Sequence, residues 1–291
     1  MRGVQLAGIS NISGNNTVGL SAAGLVNITG DRTQGVIISG LTSIGGDNTS
    51  GLMISGFMNV TGNMASGLHF SGAANITGQS FGGLMASGLL NVVGEHMNGL
   101  QMAGIANITA SKLNGVQIAL CNYATQARGL QIGLVNYYKE DMKGFQLGLV
   151  NANPDTRVQM MVYGGNATPA NIGVRFKNQL FYTILGIGSM YQGLNDKFSA
   201  SASYRAGLSF TLYKGLSISG DLGYQHIEAF DNKDEVIPKR LYALQARANL
   251  EYQFTRKFGI FATGGYGLTR FYNKSSNYDK GAIIEAGIVL F

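Results

Sequence analysis

Few side chains in this chain could do chemistry. There is one cysteine, Cys121, and there are three histidines, His69, His96 and His226. One thiol makes neither a disulfide framework nor a cysteine-ligated zinc site, so Cys121 is expected to be a small buried residue. His69 and His96 fall at different places in a repeat and cannot share a metal; both are expected to face solvent or lie in loops. His226 stands alone in the second half, on an outward strand face, with no Ser-His-acid or paired-carboxylate spacing beside it. Gly186-Ile187-Gly188 has no helix following it and is no dinucleotide loop. No catalytic residue, cofactor ligand or metal ligand is assigned, and an enzyme is not expected.

Two sets of polar residues remain. The first is a column of asparagines, Asn11, Asn27, Asn59, Asn75, Asn91 and Asn107, in which an amide bears both donors and acceptors and can bond to its neighbour. These residues match the N-x-Ser/Thr glycosylation pattern, but the periodicity explains the match without glycosylation. Asp31 and Asp47 make no regular calcium column. The second set is Arg175, Arg205, Asp221, Arg247 and Glu251, with Glu285 added in one of two strand phases. They share the polar face of alternating strands and are expected to pair in a narrow interior. A polar pathway or a catalytic cluster is the alternative.

The asparagines belong to a repeat. Seven blocks of 16 residues run without a gap from Gly3, Gly19, Gly35, Gly51, Gly67, Gly83 and Gly99. Residues 51–66, GLMISGFMNVTGNMAS, are typical. Sixteen residues are too few for a helix–turn–helix unit. Apolar residues at positions two and four alternate as in a strand, and the phase then jumps across a glycine. Each block is therefore expected to be one β-solenoid coil: strand, corner, strand, variable loop. Positions three and eight should face solvent, yet they include Ile37, Met53, Met58, Met85 and Leu90. That is either scattered surface apolarity or a stripe that docks on a partner, a barrel wall or lipid.

From residue 115 the block shortens, as in GVQIALCNY (115–123), GLQIGLVNYY (129–138) and GFQLGLVNA (144–152). This segment either ends the solenoid or adds strands to the C-terminal half. Beyond Arg157 the strands lengthen. Ser199, Ser201, Ser203, Arg205 and Gly207 alternate with Ala200, Ala202, Tyr204, Ala206 and Leu208. Eight strands are expected, near 157–164, 170–177, 180–191, 198–213, 215–228, 239–254, 257–272 and 281–291. Short turns alternate with longer links at 229–238 and 273–280, and aromatics gather at strand ends, as in a membrane barrel with an apolar exterior. Phe291 would close such a barrel, but placing it outward puts Glu285 outward too.

Composition agrees. Charged residues are 12% of the chain, glycine supplies 43 of 291 residues, and the net charge is +6 with no basic stripe for nucleic acid. No 18-residue apolar run exists for a transmembrane helix. Met1-Arg2 leads straight into the repeat, so a processed or trimmed start is expected.

The GLMISGFMNVTG, GLQIGLVNYY and GFQLGLVNA blocks resemble a bacterial family of surface repeat-containing proteins of diderm envelopes. The resemblance covers residues 3–152. It implies a cell-envelope location and carries no activity. The remaining half resembles a generic outer-membrane barrel.

The expected fold is all-β: a β-solenoid over 1–114, a transitional segment over 115–153, and a small antiparallel membrane β-barrel of about eight strands over 154–291. The expected location is the bacterial outer membrane. The expected partners are outer-membrane lipid and, through the apolar stripe, another envelope protein; nucleic acid is not expected. A non-enzymatic barrel anchor with a solenoid surface is the leading function. A small channel or a lipid-acting barrel enzyme is the alternative.

Overall fold

The computed structural model describes residues 1–189, 198–230, 240–272 and 277–290. It divides into two compact units, Met1–Pro154 and Asp155–Phe291.

The first unit is a parallel β-solenoid. Up to Ala103 each coil has one long and one short strand, for example Asn48–Ser55 and Met58–Thr61. Every residue pairs with its equivalent one coil away, so Gly51 sits between Gly35 and Gly67, and Asn75 between Asn59 and Asn91. The part expected as a variable loop is instead the first half of the long strand, which bends at its central glycine. That glycine has φ between 109° and 149° in every coil from Gly3 to Gly144. A side chain is strained there. The second turn is the glycine–apolar pair Gly56-Phe57, and the third is Gly62-Asn63. A Cβ on Gly56 would lie 2.1 Å from the Gly40 carbonyl oxygen. Three turns thus close each coil up to Ile105; beyond it the third corner is an irregularity within one continuous strand, as in Ala106–Ile118.

The inward phase is opposite to the one expected. Ile37, Met53 and Met85 at position three are buried, whereas positions two and four face out, with Ile38, Ile54 and Met102 exposed. Position seven is exposed as well, in Leu41, Phe57, Leu89 and Ile105. The asparagine explains this. Strand side chains alternate, so an inward Asn59 turns Met58 and Val60 outward. The interior of so small a coil holds Asn, Ser and Thr columns plus one apolar seam of Ala65, Phe81, Met85, Val93, Met97 and Leu113. Met58 and Leu90 at position eight do lie outward and half-buried, as their position implied.

Residues 115–152 continue the solenoid. Val135–Leu147 stacks on Cys121–Ile132, and Val150–Ala152 stacks on Val135 to Tyr137. The coils drop one or two residues at their corners, and Asn107, Asn122, Asn136 and Asn151 still align. Cys121 therefore falls next to an inward asparagine and is exposed, not buried.

The second unit is a closed antiparallel barrel of eight strands. They are Arg157–Gly165, Ala170–Asn178, Phe181–Ser189, Ser199–Tyr213, Leu216–Ala229, Arg240–Thr255, Phe258–Phe271 and Asn277–Leu290. The first pairs with the eighth, Met161 with Val289, which closes the ring. Tight turns at 179–180, 214–215 and 256–257 share one end with the start of the first strand. Phe291 and most of the two long links lie outside the described residues.

Candidate functional site

The solenoid interior is built on hydrogen-bonded ladders. Asn59 Nδ2 donates to Asn75 Oδ1 at 2.8 Å, Asn75 to Asn91 at 2.9 Å and Asn91 to Asn107 at 2.9 Å. The ladder runs on through Asn122, Asn136 and Asn151 at 3.1, 2.9 and 2.8 Å. At the other end Asn11 donates to Asn27 at 3.0 Å. Ser43 replaces the missing amide: Asn27 donates to Ser39 Oγ, which lies 2.7 Å from Ser43 Oγ, and Ser55 connects Ser43 to Asn59. From Asn11 to Asn136 each amide also donates to a carbonyl of the next coil, as Asn59 does to Phe70 O at 2.8 Å. So the column satisfies buried backbone at a turn as well as itself, which buried polar groups require.

A second ladder, of glutamines, has no counterpart among the sequence expectations. Gln117 donates to Gln101, Gln131 to Gln117 and Gln146 to Gln131, each at 2.8 Å. Its trace is the shared G-x-Q of the late blocks.

The two solenoid histidines part company. His96 is exposed beside Glu95. His69, expected in solvent, is buried at position three, 1% exposed, with its ring edge-on to Phe81 at 4.9 Å. Among the described residues its Nε2 has no hydrogen-bond partner. Burial lowers its pKa from 6.5 to about 4. The neutral form is thus the folded form, and the unfolded chain binds the proton more tightly. Stability is full above pH 6.5 and falls as pH drops towards 4, by about 3 kcal/mol in all. Acid titration of solenoid hydrogen exchange should show this loss in the wild type and not in His69→Met, whose column neighbours are Met53 and Met85.

The barrel interior holds all six charges named from the sequence. Arg175 grips Glu251 with two bonds, at 2.6 and 3.0 Å, and donates to Gln159 at 2.8 Å. Arg205 grips Asp221 with two bonds at 2.8 Å, and the Arg205 and Asp221 side chains are 1% and 0% exposed. Tyr182 and Asn249 also donate to Asp221, at 2.7 and 2.8 Å. Glu285 points inward, 3.3 Å from Arg247 and 3.6 Å from Arg205. These groups come from five strands and meet across the ring. They form a plug of compensated charge, with three Arg against one Asp and two Glu.

The outer face is the converse. Leu208, Phe210, Ile218, Leu222, Leu244, Leu250, Ile260 and Ile284 are exposed. The outward charges, Glu228, Arg240, Arg270 and Lys280, stand near the ends that the long links join. Rings mark both ends of this belt: Tyr252, Phe254 and Phe258 pack at one end and Tyr224, Tyr242 and Tyr272 at the other. Along the sixth strand, Tyr242 and Phe254 stand about 30 Å apart in height for a strand tilted about 40°.

His226 lies on this outer face. It bonds Tyr272 OH at 2.8 Å and Glu228 at 3.3 Å, and Arg240 reaches Glu228 at 3.1 Å. Beside them runs a wall groove of about 1190 Å³ lined by Val162, Ile172, Ile187 and Ala202. The histidine thus has an acid and a phenol as partners, while the serine hydroxyls of the neighbouring strand, Ser199 and Ser201, are buried on the inner face.

No family model and no curated protein matches the chain. Among solved structures, the N-terminal β-barrel domain of OprF from Pseudomonas aeruginosa is similar at 16% identity and a TM-score of 0.30, over 46% of this chain and 93% of that one.

Proposed function

We propose that the chain is a non-enzymatic bacterial outer-membrane protein: the barrel is an anchor, and the solenoid is a repetitive structural or binding surface of the cell envelope. The observation that carries this reading is the barrel's inversion, with ion pairs inside and an uncharged aliphatic belt between two sets of rings outside. In water that arrangement exposes its greasiest surface; in a bilayer the closed strand ladder pairs the backbone of the wall and the belt keeps charge out of the hydrocarbon. The start of the first strand shares an end with the tight turns, and this end of such barrels is periplasmic. The solenoid is accordingly read as periplasmic, and protease added to intact cells should leave residues 1–152 uncut.

The plug at Arg205, Asp221, Asn249 and Glu285 disfavours the channel reading. Planar bilayers containing the protein should stay non-conducting. The enzyme reading rests on His226, and hydrolysis of envelope lipids that is lost in His226→Ala would establish it over the anchor. The anchor itself is tested by electrophoresis of unheated and boiled protein in detergent. Two mobilities and a detergent requirement are expected. A single mobility with a freely soluble protein would refute it.

A further inference from the structure

The solenoid is amphipathic as a solid body, and its charges show which way it faces. Asp31, Asp47 and Glu95 lie at the third corner of their coils, and Arg32 and Lys112 lie between that corner and the central glycine. Arg128, Lys139, Glu140, Asp141 and Lys143 of the late coils fall in the same sector. That side also presents Gln34, Ser50, Ser66 and Asn98, all exposed. The other two sides are aliphatic. Position two (Val36, Leu52, Leu84) and position four (Ile38, Ile54, Met102) cover one. Position eight (Val26, Met58, Leu90) and position ten (Ile28, Val60, Val92) cover the next. Between them runs a ridge of Leu41, Phe57, Leu89, Ile105, Leu120 and Leu134, each about half exposed. No charged side chain falls in either apolar side from Gly3 to Ala152.

We infer that the two apolar sides of the solenoid bury themselves in the hydrocarbon edge of a lipid leaflet, with the charged side towards water. The inference rests on the membrane-anchor reading of the barrel, which the link of residues 153–156 ties to the solenoid. Three features favour lipid over a second copy or a partner protein. A second copy packed on one side leaves the other bare, whereas a leaflet takes the ridge and both sides together. The outward columns vary in bulk from coil to coil, as Ala22, Ile38, Ile54, Phe70, Ala86 and Met102 do at position four. A fluid adapts to such unevenness, and a protein interface needs a fitted shape. Finally, an apolar body with a charged face and little net hydrophobicity is how an interfacial helix binds membranes, and here the same division is built from strands.

The single native cysteine supplies the probe, because Cys121 is exposed at position eight on an apolar side. The full chain, labelled there with bimane in detergent, is reconstituted into phosphatidylethanolamine–phosphatidylglycerol vesicles with or without lipids bearing an acyl-chain nitroxide. The Cys121→Ser variant carries the label at Ser66→Cys on the charged side, or at Leu222→Cys on the barrel belt. Lipid nitroxide should quench the labels at 121 and 222 several-fold more than the label at 66. Quenching at 222 with none at 121 would overturn this inference and leave the anchor standing. No quenching at 222 would overturn both. Self-quenching at 121 that grows with the protein-to-lipid ratio would place a second copy there instead, and would also overturn it.

Discussion

Replacing Arg205 with methionine is expected to destabilise the barrel by about 3–5 kcal/mol. The charge it removes is the one that Asp221 faces with 0% of its side chain exposed. Asp221 would keep Tyr182 and Asn249 as donors, but neither offsets a full negative charge, and Glu285 would lose its second cation. The penalty comes mostly from stranding an anion and much less from losing a favourable pair. Adding Asp221→Asn to Arg205→Met should therefore recover most of the loss, because a neutral amide needs no counter-charge. Urea unfolding in detergent micelles, read as the fraction of the heat-modifiable band, measures all three proteins. A single variant as stable as the wild type would mean that the plug is hydrated.

Two adjacent glycines should behave in opposite ways. Gly83 has φ of +130°, and a Cβ there would stand 2.2 Å from the Gly67 carbonyl oxygen. Gly83→Ala meets backbone strain of about 1–3 kcal/mol together with a steric contact that only separation of two coils relieves. Since each coil contacts only its neighbours, the stack should part there. Gly82, one residue earlier, has an ordinary φ, and its Cβ would meet nothing within 4 Å. Gly82→Ala should be neutral or more stable by about 0.4–1 kcal/mol, through a less flexible unfolded chain. Hydrogen-exchange mass spectrometry of peptides spanning 64–103 should show protection collapsing in the first variant and unchanged in the second.

Much of this architecture is legible in the residues. The spacing of Asn59, Asn75, Asn91 and Asn107 implies stacked coils, and the alternation of Ser199 to Leu212 implies a barrel wall with Arg205 inside. What misleads is the assumption that aliphatic side chains mark an interior. Aliphatic residues such as Ile38 and Ile54 outnumber the asparagines in each coil, yet Asn59 and its equivalents set the phase. An amide needs a specific partner, whereas an aliphatic side chain is satisfied by an apolar surface of any kind. Once position nine faces in, positions eight and ten must face out, and parity along the preceding strand carries Met53 and His69 inward. The same parity would have exposed Cys121. The continuation of the solenoid past residue 115 is harder to read, because residues dropped at the corners shift the period from 16 to 14 or 15 while the Asn and Gln columns stay aligned.

The barrel wall places polar side chains within and apolar ones without, and that inversion can be tested directly. Spin labels placed one at a time from Leu244 to Tyr252 can be compared for collision with oxygen, which concentrates in hydrocarbon, and with a water-soluble nickel chelate. Labels at 244, 246, 248, 250 and 252 should collide with oxygen and escape nickel, while those at 245, 247, 249 and 251 should be shielded from both. Nickel collisions all along the outward set would put that wall in water and contradict the account.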